Sequence, residues 1–242
     1  MKSISKVLVL LCLIQFPLSA ADKSELSTTP VVQTAKWAVK WWMPRHKQKI
    51  EEKKKLGDVQ LVFLGDSITH AWDNKGKAYW QKNYAKYNAL NIGFSGDRTE
   101  HVLWRLQNGA VDDINPKVLV LMIGTNNAGH RKEASKETAK GIKAILDDLK
   151  VRLPKTKVLM LAIFPRGAKA SDPLRKLNDA TNEMIKTYAD DKHVFFLDIN
   201  KKFLEEDGTL SKKVMKDLLH PNPNQYPVWG EAIAPKLAEL MK

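Results

Sequence analysis

Ser67 follows Gly65-Asp66 directly after the apolar run Val59–Leu64, and Asp217 and His220 stand together near the other end of the chain. These three side chains can share one reaction. A serine hydroxyl is a weak nucleophile until a base takes its proton. A histidine can take it, and a carboxylate on the second ring nitrogen fixes the tautomer and stabilises the imidazolium. The chain order Ser, Asp, His is one in which such hydrolytic triads occur. Considered alone, Ser67 also fits an ordinary helix cap, and Asp66 is expected to shape the turn.

Ester or amide hydrolysis passes through an oxyanion, which needs several donors. Three candidates follow strands: the Ser67 backbone N–H, the Gly93 N–H in Asn91-Ile92-Gly93-Phe94-Ser95-Gly96-Asp97, and the Asn126 amide in Gly124-Thr125-Asn126-Asn127. Singly, Gly93 and Asn126 read equally well as turn residues. His70, His101 and His130 lie near these motifs and compete with His220 for the role of base. His101, beside Glu100, is expected at the surface or in packing.

These residues need a scaffold that brings strand ends together. Val59–Leu64, Tyr87–Ile92, Lys117–Ile123, Lys157–Phe164 and His193–Ile199 read as strands. Several are continuous apolar runs, as in strands buried on both faces. Between them, Thr99–Gln107, Ser135–Leu153, the segment carrying Leu174, Leu177, Met184, Ile185 and Tyr188, and Pro223–Met241 carry helical spacing. Such alternation predicts an α/β fold, a mostly parallel sheet with helices on both faces. Ligands then bind beyond the carboxyl ends of the strands, where Ser67, Gly93 and Asn126 fall.

The 242 residues are 43% hydrophobic and 28% charged, which suits one globular domain. The net charge of +13 is lysine-heavy and scattered, without the aromatic–basic ladder of a single-strand nucleic-acid binder. Lys2, Lys6, the apolar stretch Val7–Phe16 and Ser19-Ala20-Ala21 read as a cleavable signal peptide, 1–21. The sequence therefore predicts a secreted or periplasmic protein with no membrane span after cleavage. Cys12, the one cysteine, goes with the leader, leaving no thiol nucleophile and no disulfide. Residues 22–55 read as a tether followed by a Trp- and Lys-rich helix over Lys36–Lys55, interrupted at Pro44, and 56–242 as the catalytic domain. Trp37 and Trp41 share a helical face. That face is expected to bury the helix, the sharper alternative being an aromatic patch that grips substrate. The run Lys47–Lys55 is expected to be a solvated face.

Taken jointly, Ser67, Gly93, Asn126 and His220 resemble the four blocks of the SGNH (GDSL-type) hydrolases. Longer stretches resemble the platelet-activating-factor acetylhydrolase catalytic subunits within that family: Val62–Ser67, Gly96–Thr99 continuing into His101–Leu106, Gly124–Asn127, Pro165–Gly167 and Asp217–His220. Ile68 stands where the family name has leucine. The resemblance runs from about Leu56 to Leu240 and implies a three-layer α/β/α flavodoxin-like fold, no metal or other cofactor, and a short, above all acetyl, acyl group. The expected function is an exported serine esterase acting on an O-acylated small molecule or polysaccharide, with an acetylated carbohydrate as a fitting substrate. The alternatives are a lysophospholipase or thioesterase for longer chains, and a non-catalytic carbohydrate-binding protein on the same fold.

Overall fold

A computed structural model describes residues 25–242, so the expected leader 1–21 lies outside the described residues. The apolar runs become five parallel strands: β1 (Leu61–Gly65), β2 (Leu90–Gly93), β3 (Val118–Met122), β4 (Lys157–Leu161) and β5 (Val194–Leu197). Their spatial order is β2-β1-β3-β4-β5. The chain leaves β1 for one neighbour and later returns to pair β3 on its other side, which makes β1 the point where the winding reverses. Gly65 at the end of β1 is in register with Gly93 of β2 and Met122 of β3. That register sets the candidate site residues side by side. β2 starts later than the sequence pattern suggests, because Ala85–Tyr87 forms a 3-10 turn and Asn88 takes a left-handed φ of 47°.

Eight α-helices are described: α1 (Trp42–Leu56), α2 (Ser67–His70), α3 (Lys77–Asn83), α4 (Thr99–Gln107), α5 (Thr125–Arg131), α6 (Ser135–Arg152), α7 (Pro173–Lys186) and α8 (Gln225–Leu240). Alternate side chains of β1 go to opposite cores. Val62 and Leu64 meet Trp42, Val102, Leu106, Ile142 and Ile145 on one face. Leu61 and Phe63 meet Trp72, Tyr84, Trp229 and Ile233 on the other. The result is the expected α/β/α arrangement.

The N-terminal segment departs from its sequence reading. The chain turns through residues 36–41, and α1 then runs uninterrupted through Pro44. Pro44 sits in the first turn, where a missing N–H costs no intrahelical bond. The fully buried tryptophan is Trp42, whereas Trp37 stays 54% exposed. The lysine run is not wholly solvated either: Lys53 is buried and its Nζ donates to the carbonyls of Gly109 and Asp112 at 2.7 and 2.5 Å. Helix α7 likewise presents Asn178, Asn182 and Ile185 inward and leaves Met184 exposed. Asn182 explains the polar face, since its amide bonds both the N–H and the carbonyl of Ile163 just beyond β4.

Candidate active site

Ser67 is the first residue of α2, immediately past β1. Asp66 caps the helix, its Oδ1 accepting the Ile68 N–H at 3.0 Å. Ser67 Oγ lies 2.9 Å from His220 Nε2, and His220 Nδ1 lies 2.6 Å from Asp217 Oδ2. The other Asp217 oxygen accepts the backbone N–H groups of Leu219 and His220 at 3.1 and 2.8 Å. That tight loop needs Leu218 at a φ of 58°, a region that costs a leucine strain. The Leu218 carbonyl is held by the Gly167 N–H at 2.9 Å, so the Pro165–Gly167 segment helps hold the strained turn. Burial works to raise the Asp217 carboxyl. The His220 N–H, the His220 ring and the Leu219 N–H outweigh it and hold the group below its usual range. The carboxylate is thus ionised opposite the ring nitrogen it orients.

The oxyanion side differs from expectation at one residue. The Gly93 N–H is already used, donating to Asn91 Oδ1 at 2.9 Å. Asn91 is in turn pinned by Nδ2 to Asp73 Oδ1 at 2.7 Å. A hydrogen-bonded strand-end amide does not serve as a free donor, which corrects the assignment of Gly93. Gly96, three residues on, has the required properties. It adopts a φ of 74°, where a side chain is disfavoured, and a Cβ there would fall 2.0 Å from Trp37 Cη2. Its N–H, like that of Ser67, makes no hydrogen bond among the described residues. Asn126, near the start of α5, is buried and donates one amide hydrogen to the Asp97 carbonyl at 2.9 Å. The second amide hydrogen is left for a ligand. Asn127 turns the other way: its amide bonds the Thr99 N–H and hydroxyl and Glu133 Oε2.

A buried brace holds this loop. Arg105, on α4, is fully buried. It donates Nε to Asp97 Oδ2 at 2.8 Å and Nη1 to the Ile92 carbonyl at 3.1 Å, with its guanidinium 4.1 Å from the Phe94 ring centroid. The second Asp97 oxygen accepts Trp42 Nε1 at 2.6 Å. One carboxylate therefore joins α1, α4 and the loop carrying Gly96. Burial also pushes Asp66 up to about 7, and the nearby Asp97 carboxylate adds to it, while the Ile68 N–H and Arg166 oppose.

Residues 63–227 match the model of the GDSL-like lipase/acylhydrolase family. The chain belongs to that family. It is 35% identical over 202 residues to platelet-activating factor acetylhydrolase IB subunit alpha1 of Bos taurus, covering 83% of this chain and 84% of that one. The human alpha1 subunit is 37% identical over 180 residues, 74% of this chain and 75% of its own. Among solved structures, an acetylxylan esterase from Geobacillus stearothermophilus aligns with a TM-score of 0.61 at 18% identity, over 76% of this chain and 96% of that one. A GDSL-like lipase from Bacteroides thetaiotaomicron aligns at 0.60 and 21%, over 80% and 97%. Membership of this family makes the protein an ester hydrolase.

Within this GDSL-like hydrolase the rival histidines have other partners. His70 Nδ1 faces the Ser95 hydroxyl at 3.0 Å, and burial, reinforced by Arg45, lowers it to about 4. His101 is buried, and its Nδ1 accepts the Arg98 N–H at 3.1 Å, capping α4. His130 lies near Arg98, 3.4 Å from Nη1. The sequence reading missed Gly96, Arg105 and Trp42. Gly96 and Arg105 stood inside the resembling stretches, but only the loop conformation and the depth of α4 reveal what they do. Among the described residues no group of three His, Cys, Asp or Glu side chains is placed to hold a metal ion.

Proposed function

We propose that this esterase removes short acyl groups, acetyl above all, from an O-acylated carbohydrate, with Ser67 as nucleophile. The observation that carries Ser67 as the nucleophile is the continuous relay Ser67–His220–Asp217 at 2.9 and 2.6 Å. His220 Nε2 takes the hydroxyl proton as Ser67 Oγ attacks the ester carbonyl carbon. The N–H groups of Ser67 and Gly96 and the Asn126 amide are positioned to stabilise the oxyanion. His220 then gives its proton to the leaving alkoxide as the C–O bond breaks. Water, deprotonated by the same ring, attacks the acyl-serine, which releases the carboxylic acid and restores Ser67. Asp217 stays ionised and keeps the ring aligned throughout.

A short acyl group is supported by the bulky and polar side chains gathered around the oxyanion loop. Trp37 rests on Gly96, and Arg98 and His130 follow on the same side. The names of the curated relatives point the same way. The leader pattern in 1–21 supports export, which suits a polysaccharide or oligosaccharide substrate, and a mature chain beginning near Asp22 on N-terminal sequencing tests it.

The decisive experiment is a p-nitrophenyl ester series combined with acetate release from acetylated sugars. A crowded acyl site rejects added methylenes by strain. Rates are expected to fall from acetate to butyrate and to be nearly absent at octanoate. An open apolar groove gains about 0.8 kcal/mol per buried methylene, so rates rising to octanoate would replace this reading with a long-chain lipase or thioesterase.

A further inference from the structure

Trp37 is the most exposed tryptophan described, at 54%, yet its ring touches the loop that carries the candidate oxyanion donor Gly96. Its centroid lies 6.4 Å from that of His130, edge-on at 73°, one helical turn beyond Asn126. Trp41 sits 6.2 Å from Trp37 with the rings inclined by 33°, and 5.9 Å from His70, one turn after Ser67. The Trp41 Nε1–H is spent on the Trp37 carbonyl at 3.1 Å. Its polar edge is therefore satisfied within the protein, and what Trp41 offers is aromatic face. Both residues precede Phe63, where the family match begins.

We propose that Trp37 and Trp41 form a stacking subsite for a pyranose ring in the alcohol half of the substrate. The proposal rests on the carbohydrate-ester reading above and names where that half lies. Two features favour a sugar over a lipid tail. The indoles form a tilted platform, which suits the C–H face of a pyranose. Hydrogen-bonding groups adjoin the platform: Trp41 itself lines a hollow together with Lys40, Pro44, Arg45, Gln48 and His70. Arg45 is already bonded to the Gly93 carbonyl and Asp73, so the groups open to a sugar's hydroxyls are Lys40 and Gln48, which an alkyl chain would desolvate without compensation.

The test compares full-length wild type with Trp37→Ala, Trp37→Phe and Trp41→Ala on acetylated xylotetraose and on p-nitrophenyl acetate. Trp37→Ala is expected to raise KM for the saccharide by about tenfold, the scale of one lost aromatic contact, with Trp41→Ala in the same direction. Its loss of kcat/KM on the saccharide should exceed the loss on p-nitrophenyl acetate severalfold, and Trp37→Phe should recover most of it. Equal losses on both substrates would reduce Trp37 to packing on Gly96 and overturn the subsite alone. A larger loss on p-nitrophenyl octanoate than on the saccharide would make the patch an alkyl site and overturn it. If wild type turns over p-nitrophenyl acetate but releases no acetate from any acetylated saccharide, the carbohydrate reading fails and the subsite fails with it.

Discussion

Trp42 Nε1 donates to Asp97 Oδ1 at 2.6 Å, fastening a helix that precedes the first strand to the loop beside the candidate nucleophile. A neutral phenyl ring fills much of the same volume but leaves that carboxylate oxygen without its donor. A hydrogen bond to a charged group contributes about 1.5–3 kcal/mol. Trp42→Phe should therefore lower stability by about that amount in urea unfolding and reduce kcat through the loosened loop. An unchanged midpoint would show that Arg105 alone holds Asp97.

Ser67→Ala removes the proposed nucleophile oxygen while leaving Asp66, which caps the helix, in place. Esterase turnover should fall by several powers of ten with the circular dichroism spectrum unchanged. Labelling by an organophosphonate probe should vanish with it. Near-normal turnover in the folded variant would move the nucleophile elsewhere.

Asn126 and Asn127 should separate by readout. Asn126→Ala removes a donor facing the site and should cost about a hundred- to a thousandfold in kcat. Asn127→Ala breaks buried bonds to Thr99 and Glu133, so its main effect should be a lower melting temperature. Reversed ranking in kcat would place the oxyanion donor one residue later.

Asp66 carries a pH signature in stability. Its folded pKa, about 7, lies above the ordinary carboxylate value of 3.8. The folded state therefore holds this proton more tightly than the unfolded state, and stability from this group is lost as pH rises from about 4 through about 7. Asp66→Asn removes the ionisation and keeps an acceptor for Ile68. Its melting temperature relative to wild type should rise between pH 5 and pH 8, by about 2–4 °C for each kcal/mol of relieved penalty. A constant difference across that range would show that Asp66 is ionised throughout.

The fold was legible because the sheet strands are uniformly apolar and stop at recognisable residues. Val59–Leu64 and Lys117–Ile123 locate β1 and β3 to within two residues at either end. That Ser67, His220 and Asp217 come together was legible because few residue types could serve such a relay, and the structure sets them within hydrogen-bond distance. Gly93 and Gly96 are not distinguished by sequence, because a sequence does not show which amide its neighbours consume. The Asn91 side chain folds back onto Gly93, and that bond depends on Asp73 from another turn. The i, i+4 spacing of Trp37 and Trp41 points to them rather than to Trp42 only if 36–41 is helical, whereas the chain reaches Trp42 through successive turns.

The Ser67–His220 contact spans 153 positions along the chain. Contacts of such high sequence separation close late in folding, after the loop entropy between their ends has been overcome. Ser67 is synthesised early, yet its proposed base, His220, arrives only with the final segment and the docking of α8. A chain still emerging from the ribosome, or cut short before Asp217, holds the serine without its base. Hydrolytic competence should thus appear as one of the last events of refolding, which makes the onset of p-nitrophenyl acetate turnover a kinetic marker for closure of the whole sheet.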